Sequence, residues 1–182
     1  MKLETLMEAV PAYAKDLKLN LSSVTSQTEL TKQQIWGTAV ASAVAARNPQ
    51  MVEAILDEAS KHLPAQAVEA AKAAAAIMGM NNVYYRFHHL SKNEKYSSMP
   101  ARLRMNIMRG HGVDPVDFEL WCTAVSAINA CGKCVDAHER VLREKGVTEE
   151  AIMAAIRIAA VIHGLATVFD TEKVSFPQTV TA

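Results

Sequence analysis

Shifted by 85 residues, the chain lies over itself. Ile35-Trp36-Gly37-Thr38-Ala39-Val40 falls on Leu120-Trp121-Cys122-Thr123-Ala124-Val125, and Ile77, Gly79, Val83 and Tyr84 fall on Ile162, Gly164, Val168 and Phe169. Without any gap, eleven of the fifty positions from 35 to 84 are identical. Alanine supplies several of these matches, as chance allows in an Ala-rich chain. Two tryptophans that match each other are harder to obtain that way. Similarity at a fixed offset is the mark of one supersecondary unit used twice. Here the units are about 31–84 and 116–169, each long enough for three helices.

Helix signals punctuate both units. Thr31-Lys32-Gln33-Gln34 has the spacing of a capping box ahead of the apolar run from Ile35 to Ala46. Asn48-Pro49 and Asp114-Pro115 each offer an N-cap followed by proline at the first helical position. Pro64 opens an Ala-rich helix to about Tyr85, and the second pair leads into Phe118 to Asn129. Thr148-Glu149-Glu150 places a cap and two acids where they oppose the dipole of the last long helix. The polar stretch from His88 to Pro100 breaks periodicity and reads as the connection between the units. Strand signals are absent, so the expected class is all-α.

Half of the residues are apolar but only 5% are aromatic. Alanine carries much of the core, which favours helices and lets them approach closely. Lysine and arginine (19) balance aspartate and glutamate (19), so nothing points to nucleic acid or an anionic lipid surface. The window from Ala151 to Phe169 holds Arg157 and His163 at helical spacing and reads as a core helix, not a membrane span. The start, Met1-Lys2-Leu3-Glu4-Thr5, lacks the apolar core of a signal peptide, and the expected compartment is the cytoplasm.

Three cysteines are too few, and odd in number, for a secreted disulfide framework. In a reducing compartment Cys131-Gly132-Lys133-Cys134 is redox-active or metal-binding. The repeat acts as an internal control, because the first unit carries Ala46 and Pro49 at the two cysteine positions, Glu53 at His138 and Gln34 at Glu119. That unit packs without thiols, which weakens a purely structural role for the pair. Cysteines three apart on one turn can close a disulfide. The match of Cys134 to Pro49 places Cys134 at the first position of a helix, where backbone N–H groups stabilise a thiolate, and Lys133 adds a cation. His138, one turn after Cys134, is a candidate base, and Glu119 on the preceding helix is a candidate to orient it. Cys122 reads as a small buried hydrophobe. His163 reads as core, and Met78, Met80 and Met153 as core filler. His88, His89 and His111 have no partner the sequence identifies.

Glu119-Leu120-Trp121, Ser126-Ala127-Ile128-Asn129 and Cys131 to Glu139 together resemble the alkyl hydroperoxidase D family of the carboxymuconolactone decarboxylase-like group. So do Tyr13 to Asp16 with Leu19 to Ser23, Ile77 to Arg86, and Leu103 to Ile107, so the resemblance covers essentially the whole chain. It implies one all-helical domain over 1–182 with an internal repeat, assembled as a homotrimer. It implies a hydroperoxide reductase that takes electrons from dihydrolipoamide, with no tightly bound cofactor, and that also re-reduces the peroxiredoxin AhpC. The electron source is NADH, through dihydrolipoamide dehydrogenase and a lipoylated acyltransferase; the oxidants are organic hydroperoxides. The family's sulfenic-acid cysteine falls on Cys134, its proton-donating partner on Cys131, and its relay carboxylate and imidazole on Glu119 and His138. Family members often carry histidine where this chain has Lys133.

Two other readings compete. One is a redox adaptor with little peroxidase turnover of its own. The other is a zinc module using Cys131, Cys134 and His138, which lacks a fourth ligand for a closed site. Dithiol exchange beginning at Cys131, as in thioredoxin-like motifs, stays open beside peroxide attack at Cys134.

Overall fold

The computed structural model describes residues 2–174; Met1 and 175–182, within the single-domain span of 1–182, lie outside the described residues. Eight α-helices follow one another: α1 Leu3–Glu8, α2 Lys15–Thr25, α3 Lys32–Ala46, α4 Pro49–Ala59, α5 Ala65–Leu90, α6 Pro115–Ile128, α7 Gly132–Glu144 and α8 Glu149–Thr171. No strand occurs among the described residues.

The caps are local decisions, and they form where the sequence places them. Thr31 Oγ1 accepts from the Gln34 backbone while Gln34 Oε1 accepts from the Thr31 N–H, closing the capping box. Asn48, Asp114 and Thr148 accept from Met51, Val116 and Ala151 N–H groups at the starts of α4, α6 and α8. Each cap satisfies a donor that the first turn leaves without an intrahelical partner. α5 runs five residues beyond the expected end near Tyr85, to Leu90. His88 and His89 therefore lie in its last turn, where His88 sits against the Tyr84 ring at 4.5 Å. Histidine there faces the negative end of the helix dipole, and ring contacts replace the missing apolar periodicity.

α3 is the central helix and packs against α4, α5, α6 and α8. Every residue from Ile35 to Ala43 is buried, so this stretch is enclosed on all sides. Its small side chains allow a close crossing with α6. Gly37 is the contact point, because the indole of fully buried Trp121 occupies the space a side chain there would fill. The matching Trp36 sits differently, 8% exposed and stacked on His62 at 4.7 Å. α8 is long and apolar enough to cross a membrane, yet 61% of its most apolar window is buried within the fold. His163 on this helix is exposed, against the core reading, because the face it occupies turns outward beside buried Ile162. Met153 is likewise exposed at 52%, and Met80 is only half-buried.

The two helical units fall out of register at the turn before α4 and α7. α4 and α7 end 85 residues apart, at Ala59 and Glu144, but begin only 83 apart, at Pro49 and Gly132. Arg47 (φ 66°) and Ala130 (φ 54°) are the left-handed residues that break the chain before each of these helices. α7 thus starts two residues earlier than the gapless shift implies. Cys131 is its N-cap and Cys134 its third residue, not its first. The cause is α6, which ends at Ile128, three residues before the position that matches the end of α3.

Candidate active site

Three helices converge on the turn between α6 and α7. The turn is tied down by its own backbone, since the Cys131 N–H donates to Ser126 C=O at 3.0 Å and Ala130 N–H to Ala127 C=O at 3.1 Å. Arg86 of α5 donates to the Asn129 carbonyl at 2.6 Å, putting a cation at the C-terminus of α6. Ala130 adopts the left-handed conformation that alanine avoids by about 1–2 kcal/mol. These contacts hold it there, so the chain reverses sharply and delivers Cys131 to the start of α7.

Cys131 and Cys134 are joined as a disulfide, with Cα atoms 5.3 Å apart. Cys131 is fully buried and Cys134 is 5% exposed, so the pair lies just beneath the surface. The Cys134 N–H donates to the Cys131 carbonyl at 3.0 Å within the first turn of α7. One turn further on, His138 projects from the same face. Its Nδ1 lies 2.6 Å from Oε2 of Glu119, which reaches across from α6. Both side chains are largely shielded, at 12% and 18% exposure. A charge-assisted bond of this length in a shielded site fixes the ring orientation. The sequence-expected residues therefore form two pairs, Cys131 with Cys134 and Glu119 with His138, one helical turn apart on α7.

Lys133 is placed otherwise. Its side chain is exposed and its ammonium lies over the Tyr85 ring, 5.6 Å from the centroid. Cys122 is fully buried, and burial pushes its thiol well up, with the Glu119 charge adding to the effect. His111 stacks on Phe118 at 4.2 Å, outside the dithiol turn. Among the described residues no group of three or more His, Cys, Asp or Glu is arranged to hold a metal ion. The His138 nitrogens face Glu119 and a methionine sulfur.

A buried polar network stands behind the turn, and sequence reasoning missed it. Asn82 of α5 donates to Ser126 Oγ at 2.9 Å and accepts from Asn129 at 3.0 Å. Met78, one turn earlier on α5, brings its sulfur to 3.3 Å from His138 Nε2. It is not plain filler. Asn82, Arg86, Asn129 and Ala130 also line a polar cleft of about 280 Å³ together with Arg47 and Gly79. The signal that could have found the network was the pair of asparagines, Asn81 and Asn82, in an otherwise apolar Ala-rich helix.

Fold and site define an all-helical protein with a vicinal cysteine pair backed by a carboxylate–imidazole pair. Residues 94–174 match the model of the carboxymuconolactone decarboxylase family. The chain is 67% identical over 172 residues to the alkyl hydroperoxide reductase AhpD of Solibacter usitatus (strain Ellin6076), covering 94% of this chain and 97% of that protein. It is 62% identical to the AhpD of Acidobacterium capsulatum, over 98% of each chain. It is 63% identical to that of Koribacter versatilis (strain Ellin345), over 95% of this chain and 90% of the relative. The chain belongs to the alkyl hydroperoxide reductase AhpD family.

Proposed function

We propose that the protein reduces organic hydroperoxides with the Cys131–Cys134 dithiol and is itself reduced by dihydrolipoamide. The observation that carries this reading is the Glu119–His138 pair one helical turn along α7 from the cysteine pair. Glu119 orients the imidazole, and His138 takes the Cys134 proton, directly or through a water. The thiolate then attacks the peroxide O–O bond, and the sulfur keeps one oxygen as a sulfenic acid. The other oxygen leaves with the organic group and is protonated to the alcohol. Cys131 condenses with the sulfenic acid, releasing water and closing the disulfide before further oxidation can occur. The two thiols of dihydrolipoamide reopen it by exchange and leave as lipoamide. The greater exposure of Cys134 supports it as the sulfur that meets peroxide.

The partners in this reading are an AhpC-type peroxiredoxin, a lipoylated acyltransferase and dihydrolipoamide dehydrogenase, with cytoplasmic location. The names of the relatives support the hydroperoxide substrate class. We also read the two helical units as a duplication, supported by the shared helix order of α3–α5 and α6–α8. Self-association, as the homotrimer the family resemblance implies, is supported by an exposed apolar face on and after α5 that includes Val83 (60%), Phe87 (50%), Leu90 (71%) and Met99 (54%). Sedimentation tests that assembly, and any species other than a trimer at micromolar concentration refutes it.

The deciding experiment supplies dihydrolipoamide and follows hydroperoxide loss with and without an AhpC-type peroxiredoxin. Turnover by the protein alone is expected. Turnover only with the peroxiredoxin marks it as an adaptor, and no turnover in either arm refutes both.

A further inference from the structure

Met78 has surroundings that a space-filling methionine does not need. Its side chain comes from α5, is 1% exposed, and points its sulfur at three polar groups from three helices. His138 Nε2 of α7 lies 3.3 Å away, Ser126 Oγ of α6 donates at 3.5 Å, and Asn82 Nδ2 of α5 donates at 3.8 Å. A thioether has no hydrogen to give and can only accept. The contact with His138 is therefore a bond only when Nε2 carries a hydrogen. On the other side of the ring, Nδ1 faces the Glu119 carboxylate at 2.6 Å, also an acceptor.

A hydrogen on Nε2 is thus held by the Met78 sulfur, and one on Nδ1 by Glu119. We propose that Met78 is a positioning residue, whose sulfur, steered by Asn82 and Ser126, accepts the His138 Nε2–H and fixes the ring one helical turn from Cys134. The inference rests on the thiol–disulfide chemistry proposed above and adds a second grip on the imidazole, from a helix that carries neither Glu119 nor the cysteines. Its use comes on reduction. An external thiolate attacks one sulfur, the S–S bond breaks, and the departing sulfur leaves with the electron pair and takes up a proton passed on by the oriented ring, which regains it from solvent.

The test uses the oxidised full-length protein, with ring nitrogens followed by nitrogen-15 NMR and disulfide opening by dithiothreitol followed by stopped flow. In the wild type, His138 Nε2 is expected to carry a hydrogen that exchanges slowly with water. Met78→Leu conserves volume, so the core holds. The variant is expected to lose slow exchange at Nε2 and to open about three- to ten-fold more slowly, the loss expected from one hydrogen bond. Met78→Gln, whose amide oxygen accepts, is expected to restore both readouts. A wild-type Nε2 without hydrogen overturns the proposal whether or not either variant folds. So does a folded Met78→Leu indistinguishable from wild type. Neither readout involves a hydroperoxide or a lipoyl group. Failure of wild-type hydroperoxide turnover thus refutes the functional reading separately and leaves the role of Met78 to be decided on its own.

Discussion

Gly37→Ala is the substitution whose cost the structure fixes most directly. A Cβ at position 37 would sit 2.5 Å from Trp121 Nε1 and closer still to Cε2 and Cζ2 of the same ring. Carbon contacts need about 3.5–4.0 Å, so the ring must retreat by at least about 1 Å. Trp121 is fully buried and its indole is rigid, so the retreat has to come from helix α6 or from expulsion of the ring. Spreading the helices is overpacking, at the upper end of about 1–3 kcal/mol. Losing the ring from its seat approaches a large core deletion, about 3–5 kcal/mol. Alanine returns about 1 kcal/mol of helix propensity over glycine. The net loss is therefore about 2–4 kcal/mol. At an m value of about 2 kcal/mol/M, the urea midpoint falls by about 1–2 M. Gly79→Ala on α5 is the control, because a Cβ there meets nothing within 4 Å. It should match or exceed wild-type stability by up to about 1 kcal/mol. If Gly37→Ala behaves like Gly79→Ala, the α3–α6 crossing is not as described. Activity should suffer beyond the stability loss, because α6 also carries Glu119, two residues before Trp121.

Further expectations concern the site. After one peroxide dose, Cys131→Ser should accumulate sulfinic acid or a mixed disulfide at Cys134, whereas Cys134→Ser should stay unoxidised; mass spectrometry finding sulfinic acid on Cys131 would reverse the assignment. Glu119→Gln keeps a hydrogen-bonding group but removes the charge facing His138, and should slow peroxide reduction by about ten-fold, the weight of about 1.4 kcal/mol; an unchanged rate would leave His138 without need of its partner. Cys122 should resist alkylation in the folded protein. In the oxidised protein Cys122 is the remaining thiol, and its raised folded pKa means that its share of stability is complete below the unfolded value of about 8.5. That share is lost as pH rises beyond 8.5, at no more than about 1.4 kcal/mol per pH unit; Cys122→Ala, melted in parallel across this range, should lack that part of the decline. Lys133→Ala should raise the alkylation midpoint of the reduced pair by less than about one pH unit, since an exposed ammonium held over Tyr85 is screened. A larger rise at low salt would put Lys133 closer to the thiolate than its contact with Tyr85 suggests.

What the sequence reveals about this protein follows the range of the forces involved. Caps at Thr31, Asn48, Asp114 and Thr148 are legible because a side chain satisfies N–H groups two or three residues away. The meeting of Glu119 with His138 is legible because helix spacing and an antiparallel neighbour nearly dictate it. The true start of α7 is hidden, because a gapless shift cannot register that α6 stops early and hands two residues to the next helix. His163 misleads for a related reason: its match to buried Met78 assumes equal faces, and α8 turns that one outward. Met78 is the hardest case. Thioether chemistry appears only when three helices aim donors at it, and no local pattern encodes that.

The disulfide has a further consequence through its span. Its half-cystines are three residues apart, so it closes a ring of barely one turn. In the chain-entropy treatment a loop that small restrains the unfolded chain by about 2 kcal/mol, against about 4.7 for a hundred-residue loop. Long cross-links act as rivets, and cutting one puts the whole structure at risk. This one is a latch on a frame already closed by alanine-lined helices, so opening it should leave the frame standing.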